Sequence, residues 1–103
     1  MRVVFAFVAA FLCSTALAQN PAFIPPKGFV PDAETAVTIA RAVLIPIYGP
    51  AKIQAEEPLK AERHGDTWHV NGTLQCAPNC VGGTAHVEIS ARNGAILNVI
   101  HTK

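Results

Sequence analysis

The stretch Trp68 to Gly83 constrains this chain most. Read from Thr67 it runs T-W-H-V-N-G-T-L-Q-C-A-P-N-C-V-G-G: a strand, a turn between two cysteines, and the start of a returning strand. Trp68, Val70 and Leu74 share one parity and face one side, while His69, Asn71 and Thr73 face the other. Cys76-Ala77-Pro78-Asn79-Cys80 supplies turn residues between two thiols, and Gly82-Gly83 frees the backbone before the next strand. A hairpin with one apolar and one polar face needs a cover on one side only, and the rest of the chain is read for that cover.

The 103 residues suffice for a single domain, and the first eighteen read as a removable leader. Arg2 gives a positive start, Val3 to Leu12 is almost wholly apolar, and Ala16-Leu17-Ala18 is a small-x-small cleavage site. The apolar run of roughly 16 residues is shorter than the ~20 that a spanning helix requires. Cleavage after Ala18 is therefore expected, leaving Gln19 to Lys103 in the periplasm or outside the cell. Cys13 follows Phe11 and Leu12, not the small residue that a lipidation site requires, and it departs with the leader. Cys76 and Cys80 remain as an even pair in an oxidising compartment, where a structural disulfide is expected. No βαβ pattern surrounds the C-x-x-x-C spacing, which argues against a redox centre.

The eight basic residues include Arg2, so the mature chain balances seven acids with seven bases. Without a basic stripe, nucleic acid is a poor partner. Without a cationic amphipathic helix, so is a membrane surface.

Residues 19–31, Q-N-P-A-F-I-P-P-K-G-F-V-P, hold four prolines and read as an extended lead-in. Phe23, Ile24 and Phe29 suggest that its later part lies on the domain, with Phe29 and Val30 packing near the helix entrance. Asp32 then opens a long helix, with Glu34 in its first turn. Ala36, Ile39, Ala40, Val43, Leu44 and Ile47 recur at helical spacing, with Arg41 opposite. The spacing predicts a helix to about Ile45, where Pro46 kinks or ends it before Tyr48-Gly49-Pro50. A short second helix over 50–57 follows, burying Ile53. Glu56-Glu57 is adjacent acid, but neighbours in sequence do not face one another on a helix, so no acid–base pair is expected there.

From Pro58 the period changes to two. Leu59 to His64 gives a first strand, Gly65-Asp66 a turn, and Thr67–Leu74 the second strand. Thr84 to Arg92 puts Ala85, Val87, Ile89 and Ala91 on one face, and Thr84, His86, Glu88 and Ser90 on the other. Asn93-Gly94 is a hairpin turn. In the last strand, a two-residue turn would bury Ile96 and Ile100, while a glycine bulge would bury Leu97 and Val99; the bulge is favoured. The expected fold is α+β. One long and one short helix cover a four-stranded antiparallel meander in a single domain over 32–103, in a nuclear-transport-factor-2-like or cystatin-like architecture.

Little in the sequence is reactive. His69 and His86 fall on the polar parity of neighbouring strands, and with Glu88 they would make a two-histidine metal site. No helical H-x-x-x-H and no cysteine ligand accompanies them, so no metal or cofactor is expected. His64 and His101 read as loop and tail residues. Asn71-Gly72-Thr73 matches a glycosylation sequence but sits within a strand, Gly82-Gly83 lacks the lysine of a phosphate loop, and no Ser-His-Asp or Cys-His set is seen.

P-D-A-E-T-A at 31–36, I-P-I-Y-G at 45–49, W-H-V-N-G-T-L at 68–74, C-V-G-G at 80–83 and N-G-A-I-L at 93–97 together resemble the small immunity proteins of bacterial polymorphic toxin systems, whose fold is nuclear-transport-factor-2-like. The similarity spans about Phe29 to Lys103. It implies a non-enzymatic protein that protects its producer or a neighbour by binding a toxin, and it carries no catalytic residue onto this chain. The expected contact surface is the polar sheet face, with His69, Asn71, Thr73, His86 and Glu88, together with the Cys76–Cys80 loop. Two other readings are a periplasmic ligand-binding or enzymatic domain, with a helix–sheet pocket lined by Tyr48 and Trp68, and a protease inhibitor presenting the cysteine turn.

Overall fold

A computed structural model describes residues 23–103. The leader reading, residues 1–18, and the first part of the lead-in lie outside the described residues. Helix α1 (Ala33–Tyr48) and helix α2 (Pro50–Ala55) precede four strands, β1 (Lys60–His64), β2 (Thr67–Asn71), β3 (Ala85–Ser90) and β4 (Ile96–His101). The strands form one antiparallel sheet in the order β1-β2-β3-β4, the meander that the turn spacing predicts.

Helix α1 starts where the sequence places it. Asp32 is extended, and its Oδ1 accepts hydrogen bonds from the Thr35 backbone N at 2.8 Å and the Thr35 hydroxyl at 2.6 Å. Those two bonds hold the Asp32 carboxyl below its ordinary pKa. The helix end differs from expectation. Pro46 lies inside the helix, which continues to Tyr48 and closes when Gly49 N donates to Ile45 O at 2.8 Å. A proline in the last turn removes only one ladder bond, and Gly49 tolerates the positive φ that the reversal into α2 requires.

Ala36, Ala40 and Leu44 of α1 are fully buried against Trp68, Val70, Ala85, Val87 and Ile89 of the sheet, with Ile53 and Leu59 closing one end. Small residues on the helix let it approach the strands closely. Ile47, expected on the buried stripe, is instead half-exposed near the helix end. In the lead-in Val30, not Phe29, is the packing residue: Val30 is buried while Phe29 is half-exposed. Backbone bonds fix the segment, with Phe29 N donating to Arg92 O and Val30 N to Ala91 O, both at 3.0 Å. The Trp68 indole N–H then donates to Val30 O at 2.7 Å, so the buried ring satisfies its one donor and ties the lead-in to β2.

Strand β2 stops at Asn71, earlier than expected, because Thr73 N donates to Glu56 O and the Thr73 hydroxyl to Pro58 O, both at 2.7 Å. Cys76 and Cys80 form the expected disulfide. In the last hairpin an irregularity falls between Glu88 and Ile89, so that Val99 pairs with Val87 and Ile96 with Ile89. The bulge absorbs Leu97, which is exposed. Of the two residues expected to turn inward, only Val99 packs on the core.

Candidate functional site

The sheet's two faces carry two sets of histidine and carboxylate. On the helix side, Glu56 caps α2 and is only 8% exposed. Its Oε1 accepts from Ala85 N at 2.7 Å, and its Oε2 lies 2.8 Å from His101 Nε2. His101 Nδ1 lies 2.8 Å from Thr102 O, and the ring packs at 5.4 Å on Tyr48. One side chain thus joins α2, β3 and β4 beneath Tyr48, and it also explains Gly72. A Cβ at that position would lie 2.9 Å from the Glu56 Cβ and closer still to its carboxylate, so only glycine leaves room. Glu57, the adjacent acid, points elsewhere and forms a two-bond pair with Arg41 at 2.7 and 3.0 Å. The Arg41 guanidinium lowers the Glu57 pKa and is itself raised. The two acids do separate structural jobs, consistent with the expectation that they are not a catalytic pair.

On the open side the register sets His69 opposite Glu88 and Asn71 opposite His86. His86 Nδ1 lies 2.8 Å from Asn71 Oδ1, and its Nε2 lies 3.0 Å from Glu88 Oε2. Asn98 of β4 donates to the same Glu88 oxygen at 3.4 Å. The His86 contact is the main reason that the Glu88 carboxyl sits below its usual range, followed by Asn98, with smaller through-space contributions from His69 and His86. His64 closes β1, the end of the expected first strand, with its ring 4.8 Å from that of His69 and its Nε2 2.7 Å from Glu62 Oε1. His69 and His86 follow at 5.6 Å. Three imidazoles therefore cross β1, β2 and β3 in a row.

Four of the five residues expected on this face, His69, Asn71, His86 and Glu88, lie side by side on β2 and β3. Thr73 lies beyond β2, with its hydroxyl committed to Pro58 O. His64 and Glu62 were missed, although their parity on β1 matches that of His69 across the strand. His101 was missed because its partner, Glu56, is 45 residues away in sequence. Val81, beside the disulfide, is 97% exposed.

The pocket expected between helix and sheet meets a filled interior: Trp68 is buried, its N–H is taken by Val30, and Tyr48 rests on His101. A polar cleft of about 50 Å³ lies elsewhere, among Pro25, Lys27, Arg63, Asp66 and Arg92, room for little more than water. Arg63 is already bonded there to Gly65 O, Lys27 O and Asp66.

The model of one family, NTF2 fold immunity protein, matches residues 35–103, which takes in nearly all of α1, α2 and the entire sheet. The chain belongs to the NTF2 fold immunity protein family. No curated protein and no solved structure matches it. The family region contains both histidine–carboxylate sets and the disulfide loop. No helix among the described residues is long and apolar enough to cross a membrane.

Proposed function

We propose that this immunity-family protein is an exported, non-enzymatic binding module that neutralises a protein toxin by direct contact through the open sheet face and the Cys76–Cys80 loop. Family membership over 35–103 carries the reading. The geometry supports it in two ways. The interior between helix and sheet is packed, leaving the outer face as the broad surface for recognition. That face offers oriented polar groups at His69, Asn71, His86 and Glu88, while Val81 beside the stapled loop offers an exposed apolar anchor. The amino-terminal pattern puts the encounter in the periplasm or outside the cell, where the disulfide is stable.

The test exposes cells making the full chain to the toxin encoded beside its gene, and pairs that assay with co-purification of the two proteins. Protection together with a stable complex is the expected result. Failure of both would overturn the reading.

A further inference from the structure

We propose that His69, His86 and Glu88 form a binding site for a divalent transition-metal ion of the zinc class, with water completing the coordination. The sequence taken alone argues against a metal, since neither helical histidine spacing nor cysteine ligands are present. The sheet supplies what the spacing does not. Antiparallel register sets His69 across from Glu88, and the two-residue spacing of His86 and Glu88 puts them on one face of β3. One ligand atom from each of the three lies within 4.8 Å of the others. Ligands around a tetrahedral zinc ion, at about 2.0–2.1 Å from the metal, sit about 3.3 Å apart, so side-chain rotations that bring the atoms together by about 1.5 Å at most close the set.

The hydrogen bonding of His86 is an independent observation that points the same way. Asn71 presents its carboxamide oxygen to His86 Nδ1, and Glu88 presents a carboxylate oxygen to His86 Nε2. A neutral imidazole has one N–H, so it cannot donate to both acceptors. In the tautomer with Nδ1–H held by Asn71, Nε2 is the ring's free acceptor and faces the Glu88 oxygen, so that a cation between them would be ligated by both; without the cation, Nε2–H donates to Glu88. An Nδ1–H held by an amide oxygen is also the outer-shell arrangement that orients metal-bound histidine, and Asn98 holds the Glu88 oxygen in the same manner. His86 and Glu88 sit largely sheltered on strands, with side chains 16% and 29% exposed, which limits the cost of ordering them. Two imidazoles and one carboxylate match the donor preference of zinc and its neighbours, and not that of magnesium. His64 is set aside as a ligand because its Nε2 is engaged by Glu62.

The test is titration of the purified full chain, prepared without a histidine tag and stripped with chelator, with zinc chloride alone, followed by calorimetry. One saturable site per chain is expected, and magnesium chloride should give none. His69→Ala, His86→Ala and Glu88→Gln should each weaken binding at least about tenfold, and Asn71→Ala should weaken it about tenfold by releasing the His86 ring. His64→Ala should retain the site. Thermal melts give a second readout: excess zinc should raise the melting temperature of the wild type but not of the His69→Ala/His86→Ala variant. Absence of saturable zinc binding by the wild type, or wild-type affinity in Glu88→Gln, would overturn the proposal. The titration contains no toxin, so its failure leaves the immunity reading standing.

Discussion

Glu56–His101 and Glu88–His86 are the same chemical pair in two settings. The first lies under the helices, where Glu56 satisfies a backbone donor of β3 and a ring on β4, while Gly72 gives way to its side chain. The second lies on the outer face, where its atoms are held by asparagines and no helix among the described residues covers them. Residue type does not separate the two sets; the side of the sheet on which each lies does. A carboxylate against the helices is fully used by its own fold. One on the open face has a geometry that its own fold does not need.

The comparison breaks most readily at the buried pair. Glu56→Ala leaves the Ala85 N–H and the His101 ring without their partner and should cost about 3 kcal/mol, read by denaturant unfolding. Gly72→Ala drives a methyl group into Glu56 and should cost about 2 kcal/mol, within the range for overpacking. Reducing Cys76–Cys80, or replacing both with serine, should cost about 2 kcal/mol through the freed loop.

The exposed ion pair of α1 gives a smaller effect and a pH signature. Glu57 is held below its ordinary value by Arg41, so its contribution is complete above the unfolded carboxylate value of 4.5 and is lost as pH falls through the lower folded value. With both side chains about a third exposed, Glu57→Gln should cost about 0.5–1 kcal/mol at neutral pH, a difference that closes in acid. Smallest of all, the Glu88→Gln change should leave the unfolding midpoint close to that of the wild type, because that pair lies outside the core.

The parts legible in the sequence are those set by local rules. The Asp32 cap, the period change at Pro58, the meander order and the polar row on β2 and β3 all follow from spacing and parity. Pro46 misled because the cost of proline depends on which ladder bond it removes, and near a helix end that cost is small. Glu56 reads only as one of two adjacent acids because its burial depends on His101 and Ala85, which only the folded sheet brings to it. His64 and His101 fall at the ends of their strands, and the partners that give them a role, His69 and Glu56, come from other elements. The last strand was ambiguous because it is apolar on both parities, and the bulge at Leu97 is a property of the pair, not of the strand. The histidine–glutamate trio is visible as a parity match, but the Asn71 contact that orients the His86 ring needs the paired strands.

The open face is proposed to recognise the partner while the helix side maintains the fold. Toxin protection by a His69→Ala/His86→Ala/Glu88→Gln variant, measured beside its melting temperature, tests this most directly. A near wild-type melting temperature with protection lost is the expected result. A folded variant that still protects as well as wild type would contradict it.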